Sequence, residues 1–149
     1  MSFVRTHVRG VATAACTLLM AIGLGAADAG ASDAGTAAPR TRLIASSVLG
    51  GDYKVTLTAV RSTQDPYAAS VRLRVYTHAK GVWKESDRVT VGDVDGWFWY
   101  PLTGSGAVCA FSAASTEPAP LTVSLLITPS IGCSGPAHYV VKQGRVFAG

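Results

Sequence analysis

From position 42 onward, apolar and polar residues alternate in short runs. Tyr53, Val55, Leu57 and Ala59 interleave with Lys54, Thr56, Thr58 and Val60; Val71, Leu73 and Val75 with Arg72, Arg74 and Tyr76; Leu121, Val123, Leu125 and Ile127 with Thr122, Ser124, Leu126 and Thr128. A period of two sends alternate side chains to opposite faces of an extended chain, so each run predicts a half-buried strand. Turn residues punctuate the runs. Gly50-Gly51-Asp52 separates 43–49 from 53–61, Asp65-Pro66 precedes 70–77, and Lys80-Gly81 predicts a hairpin onto Val82, Trp83 and Lys84. Glu85-Ser86-Asp87 breaks the alternation, which predicts a bulge or short loop. The segment 89–91 ends at Gly92-Asp93-Val94-Asp95-Gly96, and the aromatic run Trp97-Phe98-Trp99-Tyr100 ends at Pro101. Segments 107–112, 121–128 and 139–147 complete about seven to eight strands. No stretch has a helical period, so the expected fold is all-β, a single antiparallel β-sandwich over residues 42–149.

The first 29 residues read differently. Arg5, His7 and Arg9 precede an apolar stretch from Val11 to Leu24, and small residues follow up to Ala27-Asp28-Ala29. That is the order of a secretory signal peptide with cleavage after Ala29, or nearby at Ala29-Gly30-Ala31. The stretch is about 14 residues, short of the about 20 that cross a bilayer, so membrane retention is not expected once the peptide is removed. There is no twin-arginine pair, and Cys16 lies inside the apolar stretch with Thr13 before it, a poor acylation site. The expected location is therefore secreted, extracellular or cell-wall associated. Residues 30–41 are small, polar and low in complexity and predict a flexible leader.

Composition sharpens this picture in two places. The chain has 13 Lys and Arg against 9 Asp and Glu; without Arg5, Arg9 and Asp28 the mature part holds 11 against 8, net near +3. The charge is mild and scattered, which gives no support to nucleic acid as a partner. Arg72 and Arg74 share one strand face, where charge also protects an edge strand from pairing. Cysteine usage agrees with export: Cys16 leaves with the signal peptide, and the remaining Cys109 and Cys133 are expected to form a disulfide in an oxidising compartment.

A two-sheet domain with one disulfide and nearby tryptophans resembles immunoglobulin-like sandwiches in architecture. The short Cys109 to Cys133 spacing and the tryptophans lying before both cysteines depart from that pattern, so no functional residue is carried over. The Ala-, Gly- and Arg-rich composition without any Asn resembles small uncharacterised exported proteins of high-GC actinomycetes. That resemblance implies export and no activity.

Catalytic chemistry finds little purchase. Only His78 and His138 remain after maturation, each beside turn residues, and Gly104-Ser105-Gly106 and Gly132-Cys133-Ser134-Gly135 lack the G-x-S-x-G spacing of a nucleophile elbow. Asp93-Val94-Asp95-Gly96 opens like a calcium loop but lacks the third oxygen ligand and the later Glu, and Asp-Gly before a strand is also a turn signal. No catalytic residue, metal ligand or cofactor is assigned, and the chain is expected not to be an enzyme.

The aromatic run is the most distinctive feature. On a strand, Trp97 and Trp99 would face one way and Phe98 and Tyr100 the other, while only one face of a two-sheet domain reaches the core. Trp83, Trp97, Trp99 and Tyr100 are the candidate binding residues, with Tyr76 a possible neighbour, because exposed aromatic patches mark contact sites. The competing expectation puts one pair in the core and covers the other with loop 101–106 or the C-terminal tail. The function expected is a secreted, non-enzymatic binding module for a polysaccharide or an extracellular protein. An inhibitor of extracellular hydrolases, presenting a loop at 116–120 or 128–134, is the alternative, and a small secreted hydrolase comes third.

Overall fold

The computed structural model describes residues 38–149; the expected signal peptide and residues 30–37 of the expected leader lie outside the described residues. Ten strands and one helical turn follow in order: β1 (Thr41–Leu49), β2 (Tyr53–Arg61), β3 (Ala68–Ala79), β4 (Val82–Val91), β5 (Trp97–Phe98), α1 (Trp99–Thr103), β6 (Val108–Ala113), β7 (Ala119–Thr128), β8 (Gly132–Cys133), β9 (Ala137–Lys142) and β10 (Arg145–Ala148). They form two antiparallel sheets. The first is the meander β1-β2-β3-β4, with β5 added to the start of β3; the second has the order β10-β9-β7-β6, with β8 also on β7. Among the described residues no helix is long and apolar enough to cross a membrane.

The period-two pattern does what it predicts. Val55, Leu57, Ala59, Val71, Leu73 and Val75 from the first sheet and Leu121, Val123 and Leu125 from the second lie in one buried cluster, each at most 1% exposed. Fully burying a Val or Leu side chain is worth about 1.5–3 kcal/mol, which makes this shared cluster the main source of stability.

Turn chemistry sets the registers. Lys80 (φ 53°) and Gly81 (φ 78°) close the β3–β4 hairpin, with both central residues left-handed as its strand twist requires. Gln143 (φ 51°) and Gly144 (φ 76°) do the same between β9 and β10, so the single strand expected over 139–147 is two strands. Two further expectations change. β1 starts at Thr41, inside the expected leader, because Thr41 pairs with Val60 and Arg40 O accepts the Arg61 N–H at 2.8 Å. The aromatic run is not one strand: β5 covers only Trp97 and Phe98, and the chain then coils into α1.

The expected irregularity at 85–87 is a bulge in β4, where Tyr76 faces Glu85 and Val75 faces Asp87, leaving Ser86 as the extra residue. The bulge directs both Ser86 and Asp87 to the β9–β10 hairpin. Ser86 Oγ donates to Gly144 O at 2.7 Å, and Asp87 Oδ2 accepts from the Val146 N–H at 2.9 Å. On the other flank of the same turn, Glu117 Oε1 accepts from the Gln143 N–H at 2.9 Å. The turn fits tightly, since a Cβ on Gly144 would lie 2.8 Å from Thr77 Cγ2.

Cys109 and Cys133 are bonded, with Cα atoms 6.2 Å apart. Cys109 belongs to β6 and Cys133 to β8, and both strands pair with β7. The bond therefore ties two strands of one sheet, whereas the immunoglobulin-like analogy implies a bridge between sheets.

Candidate functional site

The site is built where β5 meets β3. Ala68 and Ala69 pair with Phe98 and Trp97, which brings the aromatic run beside the β2–β3 loop of residues 62–67. The Trp99 N–H donates to Tyr67 O at 2.8 Å, and α1 then turns the chain inward. Pro101 sits in the first helical turn, where a missing N–H costs nothing. This turn buries Leu102 fully and Trp99 to 7% exposure. Trp97 packs half-buried against the core and donates from Nε1 to Val91 O at 2.7 Å; its indole lies over Gly92, where a Cβ would sit 3.3 Å from that nitrogen.

The remaining aromatics face outward. Tyr67, Phe98 and Tyr100 are 64%, 47% and 58% exposed. The Tyr67 and Tyr100 rings are tilted by 51° with centroids 6.1 Å apart. The Arg61 guanidinium lies 5.9 Å from the ring centres of both Trp99 and Tyr100, within cation–π range, while its Nε donates to Pro66 O at 2.8 Å. Arg61 thus ties the loop to the aromatic run and places a cation at its rim.

Beside this cluster, Arg61, Ser62, Ser70, Arg72 and Asp95 line an open cavity of about 190 Å³. Asp95 organises it, accepting from Ser62 Oγ at 2.8 Å and Ser70 Oγ at 3.1 Å while its own N–H donates to Ser70 Oγ at 2.8 Å. The calcium-like segment 93–96 is thus used as a loop anchor. Among the described residues no three or more His, Cys, Asp or Glu side chains come together as a metal-binding group.

Of the four candidate binding residues, only Tyr100 joins this exposed cluster. Trp99 is core, Trp97 supports it, and Trp83 lies at the far end of β3, opposite His78 in the β3–β4 hairpin. Ten residues of strand separate Ala68 from His78, about 33 Å. At that end the Trp83 and His78 rings are 4.7 Å apart, and Lys54 Nζ lies 6.0 Å from the Tyr76 ring centre. His138 Nδ1 is 3.2 Å from Thr122 Oγ1 on an exposed cross-strand pair, with no carboxylate bonded to the ring among the described residues.

Tyr67 and Arg61 were missed by the sequence reading. The local signal was Pro66-Tyr67, an aromatic in a turn, but its nearness to Tyr100 depends on the β5–β3 pairing, which joins segments about 30 residues apart. Burial raises the Tyr139 hydroxyl pKa, and burial together with Glu117 raises that of Tyr53; both residues lie away from this cluster. Comparison with protein-family models, curated proteins and solved structures gives no match to this chain.

Proposed function

We propose that this chain is an exported, non-enzymatic β-sandwich module that binds a polysaccharide through its aromatic end. The observation that carries the reading is the pair of exposed aromatic side chains Tyr67 and Tyr100, with Arg61 against Tyr100 and Phe98 exposed on the adjoining β5. Such rings offer flat apolar faces to sugar C–H groups and keep a polar hydroxyl at the rim, and a contiguous exposed patch of this kind marks a contact site. Export is supported by the signal-like order of residues 1–29 and by a disulfide within a small domain. The test is retention of the mature chain on insoluble polysaccharides. Tyr67→Ala with Tyr100→Ala should abolish retention while the denaturant midpoint stays close to the parent, each exposed change costing within about 0.5 kcal/mol. Undiminished retention by the double variant would overturn the reading.

A second reading has its own observation. Ile131 is 66% exposed at the apex between β7 and β8, its N–H donating to Thr128 Oγ1 at 3.0 Å, next to the disulfide-tied Cys133. A stiff loop presenting an apolar residue suits an inhibitor of extracellular hydrolases, since little entropy is lost on docking. A protease inhibition panel tests it, with Ile131→Ala as the control.

A further inference from the structure

We propose that the outer face of the first sheet binds an acidic polysaccharide, its carboxylates held by Arg72, Arg74 and Arg88. This rests on the polysaccharide reading of the aromatic end and names the class of glycan. In the sheet register, Thr58, Arg72 and Thr90 form one cross-strand row and Thr56, Arg74 and Arg88 the next, all pointing away from the core. Lys54 and Tyr76 follow one row further on, with Glu85 opposite Tyr76. Among the described residues the face thus carries Lys54, Arg72, Arg74 and Arg88 against Glu85, with Asp95 bonded to Ser70 at the end nearest Arg72.

That charge is incompletely neutralised within the domain. Arg74 and Arg88 are directly opposed across the strands, an arrangement that destabilises a sheet. Glu85 relieves it partly, lying 2.8 Å from Arg88 Nε and 4.0 Å from Arg74 Nε. Arg72 makes no ion pair among the described residues. Two buried polar atoms of the same row, Thr56 Oγ1 and Arg74 Nε, have no hydrogen-bond partner among the described residues, and Thr56 is only 5% exposed. Groups of this kind in a folded protein call for an explanation. The Arg74 side chain is 25% exposed, and a carboxylate arriving at this row meets that exposed part and offsets the repulsion between the two opposed guanidinium groups.

The remaining chemistry selects a sugar as the carrier of those carboxylates. Thr58 and Thr90 flank Arg72 in its row with their hydroxyls, and aromatic rings stand at both ends of β3, Tyr100 with Tyr67 at one and Tyr76 with Trp83 at the other. A protein interface would want an apolar centre in place of these cations. Single-stranded nucleic acid would want stacking rings interleaved with the cations along the face. Arg72 also lines the cavity beside Arg61, so the basic face is continuous with the aromatic end.

The test uses the mature chain against polygalacturonate, alginate and hyaluronan, each beside its fully methyl-esterified form, with single-stranded DNA as a further arm. At least one acidic polymer should bind better than its ester. Raising salt from about 0.05 M to about 0.5 M should weaken that binding by screening. Arg72→Gln with Arg88→Gln should weaken it about tenfold or more, and Arg72→Gln alone should move in the same direction without touching the Glu85 pair. Tyr67→Ala with Tyr100→Ala should weaken acid and ester alike, which separates the two proposals. Equal affinity for acid and ester, or arginine variants that bind as the parent does, would overturn the acidic-glycan inference while leaving the aromatic reading intact. Tighter binding to DNA than to every glycan would also overturn it, and no glycan binding at all would overturn both.

Discussion

Asp87 shows how much one side chain on a bulge can do. Its carboxylate accepts from the Val146 N–H and, at 2.9 Å, from the Arg88 N–H, and the first of these bonds is the main reason its pKa lies below the ordinary value. Partial burial opposes the shift and Arg145 assists it. A depressed folded-state pKa means that this stabilisation is complete above the unfolded value, about 3.9, and is lost as pH falls through that value toward the folded one. Asp87→Asn should therefore lower stability at neutral pH, and its urea midpoint should converge on the parent's as the pH drops below about 4. Parallel midpoint curves over that range would show that the carboxylate charge is not what holds β10 to β4.

At the scale of elements, the aromatic run separates what periodicity can reveal from what it cannot. The expectation that one pair of its side chains is inward and the other outward matches the burial of Trp97 and Trp99 against the exposure of Phe98 and Tyr100. The reason differs from the one the sequence suggests. Only Phe98 and Trp97 extend along β3, and a helical turn aims Trp99 and Leu102 at the core. A single turn containing Pro101 is too short to leave a period of 3.6 in the sequence, so tertiary packing decided it. Trp99→Ala should cost about 3–5 kcal/mol, as a large core side chain does, while Tyr100→Ala should stay within about 0.5 kcal/mol. Denaturant unfolding of the two variants compares them directly; equal losses would mean that Tyr100 is structural too. Val55, Leu57, Val71 and Leu73 were legible because alternation alone decides which face of a strand is buried. The break in 139–147 was not, because Lys142-Gln143-Gly144-Arg145 interrupts the alternation with only two residues and Gln143 is an unusual carrier of positive φ.

For the molecule as a whole, pairing partners and the placement of function were the least readable. Cys109 and Cys133 were expected to bond, but nothing local says that they flank β7 in one sheet. The bond closes a segment with a sequence separation of 24, so on the chain-entropy model it contributes about 3.5 kcal/mol. Cys133→Ser should lower the unfolding free energy by roughly 2–5 kcal/mol, and two titratable thiols in the native protein would contradict the pairing.

The way β1 enters the domain also bears on how the molecule can be handled. Pro39 lines the cavity next to Arg61, Arg40 O holds the Arg61 N–H, and Thr41 pairs with Val60, so the chain arrives at the same pole as the proposed glycan contacts. The opposite terminus runs elsewhere, with the Gly149 N–H bonded to His138 O on the second sheet. A bulky fusion partner or immobilisation tag placed just ahead of Pro39 would stand beside Arg61 and crowd the cavity that it lines with Arg72.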